Sequence, residues 1–418
     1  MMINRMRFPF ADELLASNGC AGVVGVTAVF SGDPPPLDEV RSRVVERWGP
    51  LDRMSWVRAA PHNQPARFHW TCPGRFDAAV QVLDSGEKLE DLLASHVDRP
   101  LGYELPPWRL LVVRDTAYGG DFALALVAQH ALLDGRSLVT LLELLLDDAP
   151  DPAPALRPPC AAGTEGPGWR KVGRELLTLF APGQAIPLGA TGGSRPSVAT
   201  AALPSEVVRT ACRRRIDGRR VTLNHLLVAS VTGALSTRYG PAGRWPRGSR
   251  PVYAMVPCDV RGGHEASELG NIVAAPRFPL PLDLDDPVDR LRASGRLVAD
   301  IRHRGRAQKA LGSALETARH FAPWLTRALG THGADASHVA AAITTLKWPV
   351  PAGSWNGSPL IRLVCLSPLH RPGSAAFSLA DAVGTVTLTV VCHLSAGEAQ
   401  RLVEAVTQEM EALAEYAG

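Results

Sequence analysis

The chain has 418 residues, of which 46% are hydrophobic and 20% are charged, and its formal net charge is +3. This composition is that of an ordinary globular protein, and the length predicts two domains or subdomains. The small net charge and the lack of a long basic run argue against nucleic-acid binding, because such proteins cluster lysine and arginine.

The seven cysteines are scattered along the chain and odd in number, and none forms a Cys-x-x-Cys pair. This spacing argues against a disulfide framework and against a zinc site. The first residues lack the apolar core of a signal peptide, and the apolar run 21–30 is too short to cross a membrane. We therefore expect a cytoplasmic protein with reduced thiols and no bound metal, while a peripheral membrane contact stays open.

Residues 1–150 are predicted to form a first subdomain of strands and helices. The β-branched run Ala21–Phe30 predicts a strand, and Leu37–Trp48 has the periodicity of an amphipathic helix. The runs Trp108–Arg114 and Phe122–Gln129, joined by Gly119-Gly120, predict a β-hairpin. Shorter elements are predicted as strands at 55–58 and 67–71 and as helices at 87–97 and 137–146.

A histidine and a carboxylate follow directly after this hairpin, in the sequence His130-Ala-Leu-Leu-Asp134-Gly135. A side chain at the end of a rigid core strand is held firmly and can still face a cleft. The placement favours His130 as a general base whose loop is braced by Asp134, although a packed structural histidine would give the same pattern. Gly135 is predicted to let the backbone turn sharply where a side chain would block a channel.

A change of composition separates the two halves, because residues 147–168 contain six prolines and three glycines. We predict a Pro/Gly-rich linker over 151–197 with one helix at Trp169–Phe180, and a second subdomain over 198–418. The fold class is therefore α/β (α+β), with a mixed sheet and flanking helices in each half. In the second half we predict strands at 198–203, 251–257, 272–280, 338–345, 360–366, 376–380 and 384–392, and helices at 204–214, 222–239, 285–303, 307–329 and 395–416.

Several short segments occur in the order and spacing of a known enzyme superfamily. Besides the His130–Gly135 motif they are Pro106–Leu110, Val221–Asn224, Val256–Arg261 with Gly270-Asn271, and Ser367–Leu369. With these segments the sequence resembles the chloramphenicol acetyltransferase-like, CoA-dependent acyltransferase superfamily. It most resembles the wax ester synthase/diacylglycerol acyltransferase-type branch. The resemblance implies two such subdomains with the active-site channel between them.

The resemblance also implies a reaction and roles for individual residues. An acyl group would pass from a thioester to a hydroxyl or amine without a covalent acyl-enzyme, and His130 would act as the base. Asp134 would pair with an arginine, for which Arg261 is the candidate, and would hold the loop. No permanently bound cofactor is implied. The partners would be a small-molecule acceptor and either acyl-CoA or an acyl-carrier protein, and the protein is expected to be a monomer.

Three further side chains are candidates for contact with the substrate. An oxyanion would need a hydrogen-bond donor, for which a backbone amide near Gly135 or the side chain of Asn271 is available. Asn271 is equally typical of a turn, and Asn224 is typical either of a helix start or of a pocket. Gln129 is the third candidate, because most relatives carry a histidine there.

The sequence departs from the lipid-forming branch at Gln129 and at His225, where relatives carry histidine and an acid. These departures favour an acyltransferase that modifies a small molecule in secondary metabolism. One alternative is a wax ester synthase or diacylglycerol acyltransferase that makes neutral lipid. Another is a catalytically silent relative that binds an acyl carrier.

Overall fold

The computed structural model describes residues 5–17, 22–59, 68–114, 120–149, 168–187, 195–203, 205–262, 268–319, 321–322, 324–350, 352–369 and 371–416. Several predictions fall partly outside these residues. They include about half of the linker, namely 151–167 and 188–194, together with residue 21 of the first strand, residue 67 of a short strand, residue 119 of the hairpin turn, and residues 204, 320 and 323 of two helices.

Most helices lie close to the predicted positions, with two additions in the first half of the chain. The helices of the described residues are α1 (Phe10–Ser17), α2 (Leu37–Trp48), α3 (Ala78–Gln81), α4 (Leu89–Asp98), α5 (Gly135–Leu144), α6 (Trp169–Phe180), α7 (Ser205–Arg213), α8 (Leu223–Tyr239), α9 (Pro287–Ala318), α10 (Trp324–Gly333) and α11 (Glu398–Glu415). The sequence analysis did not predict α1 or α3.

The strands of the first half are β1 (Arg5–Arg7), β2 (Val23–Ser31), β3 (Val57–Ala59), β4 (His69–Thr71), β5 (Val82–Ser85), β6 (Trp108–Val113) and β7 (Asp121–Gln129). Those of the second half are β8 (Ser197–Leu203), β9 (Arg215–Ile216), β10 (Arg219–Arg220), β11 (Tyr253–Met255), β12 (Cys258–Asp259), β13 (Val273–Ala274), β14 (Arg277–Pro279), β15 (Ala341–Lys347), β16 (Ser354–Trp355), β17 (Ser358–Leu366), β18 (Ala375–Ala382) and β19 (Thr385–Cys392).

The first large sheet has the strand order β16-β17-β2-β7-β6-β5. Its centre contains the predicted hairpin, since β7 pairs antiparallel with β6 on one side and with β2 on the other. Strands β16 and β17 come from the second half of the chain, and β17 pairs antiparallel with β2. The expectation that residues 198–418 form the second subdomain alone does not hold for these two strands. β17 forms its hydrogen bonds with β2 of the first half, and β16 pairs with β17.

The second large sheet has the order β14-β11-β15-β18-β19-β8. β15 runs parallel to β11 and β18, whereas β19 is antiparallel to both of its neighbours. Two mixed sheets with flanking helices therefore confirm the predicted fold class.

Strand β7 is buried on both faces, which explains its uninterrupted apolar sequence. Phe122, Leu124 and Leu126 point into the core of the first half. The alternate residues Ala123 and Ala125 belong to a second buried cluster, which also contains Ala342, Ala376 and Val391 of the second sheet. These small side chains let the two sheets approach closely, so the end of β7 lies where the two halves meet.

Two predicted elements in the second half differ from the structure. The strand at 272–280 is divided into β13 and β14, because Pro276 has no N–H to donate to a sheet. The helices at 285–303 and 307–329 become one long helix, α9, followed by the separate α10. Gly305 does not end a helix; it packs against Cys258, and an added Cβ would collide with that thiol.

Among the helices of the described ranges, none combines the length and the hydrophobicity that a membrane crossing requires. The same residues contain no cluster of three or more potential metal ligands.

Candidate active site

The loop after β7 is fixed by backbone hydrogen bonds at both of its ends. The amide of His130 donates to the carbonyl of Gly22 at 2.6 Å, and the amides of Leu132 and Leu133 donate back to the carbonyl of Gln129. Asp134 then caps α5, since its Oδ1 accepts from the amide of Ser137 at 2.9 Å. An aspartate at this position satisfies an otherwise unpaired N–H of the first helical turn.

Asp134 is held by partners from the second half of the chain. Its Oδ2 lies 2.7 Å from Nη2 of Arg261, and both side chains are almost completely buried. The same oxygen accepts from the amide of Ile272 at 3.0 Å, and the amide of Asp134 donates to the carbonyl of Gly270. The carboxylate is thus engaged on both oxygens and does not line the cavity described below.

Arg261 uses its remaining donors within the same network. Nη2 also donates to Ser137 Oγ at 3.1 Å and to the carbonyl of Gly270 at 3.2 Å, and Nε donates to the carbonyl of Glu268. Nη1 faces Asp259, which in turn pairs with Arg136 of α5. Every nitrogen of this guanidinium therefore has an acceptor, which is the arrangement that makes a buried ion pair stable.

His130 faces a cavity of about 290 Å³ between the two halves. Its Nδ1 is buried and has no hydrogen-bond partner among the described residues. Burial lowers the pKa of His130 below its usual value near 6.5, although backbone groups and the charge of Asp134 act in the opposite direction. The imidazole is therefore neutral at neutral pH, as a proton acceptor must be.

The cavity walls are mainly apolar and come from helices α1, α6, α9 and α10. One further wall is the extended segment 271–277, whose alternate residues Asn271, Val273, Ala275 and Arg277 all line the cavity. Alternation with period two is what an extended backbone produces. At about 3.3 Å per residue this segment spans at most about 20 Å. The cavity thus extends along the segment, away from His130.

Asn271 lies at the His130 end and is anchored by an unpredicted residue. Its Nδ2 donates to Oδ1 of Asp12 in α1 at 2.9 Å, while its own Oδ1 is buried without a partner among the described residues. Burial raises the pKa of Asp12 to about 7, against the opposing effects of Arg53 and the Asn271 hydrogen bond. Asp12 therefore changes its charge close to neutral pH.

Arg53 is a second residue that sequence reasoning missed. Its Nε and Nη2 donate to the carbonyl of Leu132 at 3.1 and 2.9 Å, so it supports the His130 loop from the other side. Its guanidinium stacks on Trp56, and burial lowers its pKa. The sequence signal for Asp12 was a short helical pattern, Phe10-Ala-Asp-Glu-Leu-Leu, with acids in the first turn. No local pattern marked Arg53.

Three candidates from the sequence do not reach the cavity. The side chain of Gln129 donates to the carbonyl of Leu101 at 2.8 Å, and Asn224 accepts from Thr345 Oγ1 at 3.0 Å. Asn224 does not cap the helix either, because Thr222 and His225 form that capping box. Gly135 has an ordinary φ, and an added Cβ would meet only Leu346 at 3.8 Å. The sharp-turn interpretation of Gly135 is therefore wrong.

Comparison with known proteins matches two parts of the chain to the two domains of one family. Residues 27–222 match the wax ester synthase/diacylglycerol acyltransferase catalytic domain, and residues 269–414 match the WS/DGAT C-terminal domain. A putative diacylglycerol O-acyltransferase of Mycobacterium bovis is 30% identical over 269 residues, covering 54% of this chain and 57% of that protein. The chain thus spans about half the length of this curated relative.

Two solved structures share the fold over nearly the whole chain. The wax ester synthase/diacylglycerol acyltransferase from Marinobacter aquaeolei VT8 has 18% identity and a TM-score of 0.63, with 98% of each chain covered. The first condensation domain of the calcium-dependent antibiotic synthetase has 14% identity and a TM-score of 0.66, covering 98% of this chain and 96% of that one.

Proposed function

Because this chain belongs to the wax ester synthase/diacylglycerol acyltransferase branch of the chloramphenicol acetyltransferase-like superfamily, we propose that it is an O-acyltransferase that makes a neutral lipid ester. The donor is a pantetheine thioester, either acyl-CoA or an acyl-carrier protein, and the acceptor is the hydroxyl group of an apolar alcohol or acylglycerol. The single observation that carries the proposal is the placement of His130 on the wall of a mainly apolar cavity between the two halves.

The names of the matched relatives support lipid over the small-molecule product of secondary metabolism that the sequence first favoured. The apolar cavity agrees with this, since an acyl chain needs apolar walls. Gln129 was one reason to doubt a lipid product, but its side chain is turned to the carbonyl of Leu101 and away from the cavity. The departure at this position therefore leaves the reacting groups untouched.

His130 acts as the proton carrier in this mechanism. Nδ1 is buried, so Nε2 is the nitrogen that takes the proton from the acceptor hydroxyl. The hydroxyl oxygen attacks the thioester carbonyl carbon, and the tetrahedral intermediate then breaks its C–S bond. The imidazolium returns the proton to the thiolate sulfur, and the products are an ester and a free thiol.

Asp134 and Arg261 position the loop and do not touch the substrate. Their buried ion pair joins the start of α5 to the segment around Gly270, so it fixes His130 relative to the second half. Asn271 supplies a hydrogen bond to the developing oxyanion in this proposal. One hydrogen of its amide is held by Asp12, which leaves the second free to donate.

A patch of exposed apolar side chains supports contact with a lipid surface. Trp169, Leu176, Leu177 and Phe180 project from α6, the helix whose opposite face lines the cavity with Glu175, Thr178 and Leu179. Arg170, Lys171 and Arg174 flank this patch and are exposed. An amphipathic helix with these features binds anionic bilayers.

We expect Leu177→Glu to reduce the fraction of the protein that sediments with anionic vesicles. For both the wild type and the variant, this fraction should be smaller with neutral vesicles than with anionic ones.

Release of free thiol tests the central proposal. The wild-type chain is expected to release CoA from hexadecanoyl-CoA when hexadecanol or a diacylglycerol is added. His130→Ala should lower kcat/KM by about 10²–10⁴-fold, because it removes the proton acceptor. The matched control is His303→Ala, an exposed histidine of α9 far along the chain from the motif, which should leave the rate unchanged.

Either of two results would contradict the proposal. Undiminished transfer by His130→Ala would remove the general base from the mechanism. A folded wild-type chain without activity towards any thioester and hydroxyl acceptor would favour a silent carrier-binding relative.

A further inference from the structure

The cavity wall contains a polar cluster around Arg277 that the mechanism does not use. Arg277 lines the cavity and is 5% exposed. Its Nη1 contacts Nδ1 of His338, its Nη2 donates to the carbonyl of Ala181, and its guanidinium lies 3.7 Å above the ring of Tyr253. Nε is buried and has no hydrogen-bond partner among the described residues.

Arg277 differs from three other buried arginines in what compensates its charge. Arg261, Arg290 and Arg319 each lie within ion-pair distance of a carboxylate, whereas Arg277 has no such partner in the described part of the chain. The nearest acid on the cavity wall, Glu175, is engaged by both Nε and Nη2 of Arg304. The positive charge of Arg277 is therefore uncompensated.

An arginine side chain cannot remove this charge by losing its proton under ordinary conditions. Burying an unpaired ion costs several kcal/mol, and burial indeed lowers the pKa of Arg277. The buried Nε of Arg277 is a hydrogen-bond donor without a partner among the described residues. A ligand that brings an anion to this part of the cavity would both accept that hydrogen bond and compensate the charge.

The geometry of segment 271–277 fixes where that anion lies relative to the reaction. Asn271 is at the His130 end and Arg277 is six residues further along the same extended wall. A group bound at Arg277 is therefore displaced along this wall from Asn271 and the His130 loop, by at most about 20 Å.

We propose that Arg277 binds a carboxylate carried by the substrate at the end remote from the reacting group. The carboxylate belongs either to an ω-carboxyacyl thioester or to a long-chain hydroxy acid acceptor. A guanidinium and a carboxylate match in charge and in planar geometry. This inference rests on the proposed function and specifies its substrate class.

Matched substrate pairs test this inference and separate the two sources. For the donor, hexadecanoyl-CoA is compared with its ω-carboxylated analogue; for the acceptor, hexadecanol is compared with 16-hydroxyhexadecanoate. The wild type is expected to prefer the carboxylated member of one pair by about 10-fold or more in kcat/KM. The pair that shows the preference identifies which substrate carries the carboxylate.

Variants of Arg277 must then change the preference. Arg277→Met should abolish it, and Arg277→Lys should retain part of it, because lysine keeps the charge without the planar fork. Arg290→Met is the matched control, since Arg290 is buried, pairs with Glu409 and does not line the cavity. A preference that survives in Arg277→Met, or that is absent from the wild type in both pairs, overturns the inference.

A binding measurement keeps the inference testable without turnover. Hexadecanedioate should raise the melting temperature of the wild type more than hexadecane-1,16-diol does, and Arg277→Lys should narrow this difference. Equal shifts for the two compounds would overturn the carboxylate site. If the dioate stabilises the wild type while no thioester is consumed, the proposed function fails and the anion site stands.

Discussion

Arg261 and Arg277 are both buried in the second half of the chain, but they face opposite surroundings. Arg261 meets a carboxylate at 2.7 Å and fills its other donors with backbone and side-chain oxygens. Arg277 meets a histidine ring, a carbonyl and the face of a tyrosine. Burial of a charged side chain alone therefore does not tell a structural arginine from a ligand-binding one. We infer a ligand-binding role where the buried arginine lines a cavity and lacks a carboxylate partner among the described residues.

The largest expected effect comes from a substitution of Arg261, the arginine whose charge is compensated by a carboxylate. Arg261→Met leaves Asp134 buried without its partner, so the free energy of unfolding should fall by about 3–5 kcal/mol. Arg277→Met removes a buried charge that has no carboxylate partner among the described residues, so it should not lower the free energy of unfolding. Urea denaturation of both variants measures the difference.

The double variant Asp134→Asn/Arg261→Met supplies the control for this contrast. It should be less destabilised than the sum of its two single variants, because both changes remove the same ion pair. Equal losses of unfolding free energy in Arg261→Met and Arg277→Met would contradict the proposed difference between the two arginines.

Asp12 offers a third environment, a buried carboxylate whose ionisation is disfavoured. Its pKa is about 7 in the folded protein and 3.8 for the unperturbed group, so folding favours the protonated form. The stabilisation that protonated Asp12 gives to the folded wild type is therefore fully present below about pH 4 and is lost as the pH rises to 7. Asp12→Asn should be more stable than the wild type at pH 8, by at most about 4 kcal/mol.

Thermal denaturation as a function of pH measures this gap. It should open between pH 4 and pH 7 and close at acidic pH. A constant gap at every pH would mean that Asp12 does not titrate in this range. The same variant should lower kcat. The amide oxygen at position 12 accepts the hydrogen bond from Asn271 more weakly than the carboxylate of Asp12 does, so Asn271 is held less firmly.

The smallest expected effect is a two-step fall of kcat/KM as the pH is lowered. His130 must be unprotonated to accept a proton, and burial lowers its pKa, so its loss of activity begins below pH 6.5. Asp12 must be ionised to hold Asn271, which adds a loss near pH 7. The wild type should show both ionisations and Asp12→Asn only the lower one. A single loss near pH 7 in both proteins would contradict the assignment.

Sequence reasoning predicted the elements that local patterns specify. The apolar periodicity of β7 and of α8, and the acids and proline that begin α9, gave positions within a few residues. It also selected Asp134 and Arg261 through the family resemblance. It missed α1, although a short helical pattern marks that segment. It could not predict the role of Arg53, because that role depends on a contact with the distant residue Leu132. Arg277 had no local signal either, since only the folded cavity shows that its charge lacks a partner.

The pairing of β17 with β2 has a consequence for how the chain is made. Phe30 lies beside Leu360 in that ladder, so the first sheet joins residues from near the two ends of the chain. During synthesis one edge of β2 stays unpaired until β17, more than 300 residues further along the chain, has left the ribosome. Such a high contact order slows folding and exposes an apolar edge to aggregation. A fragment that stops in the linker would keep this edge open permanently.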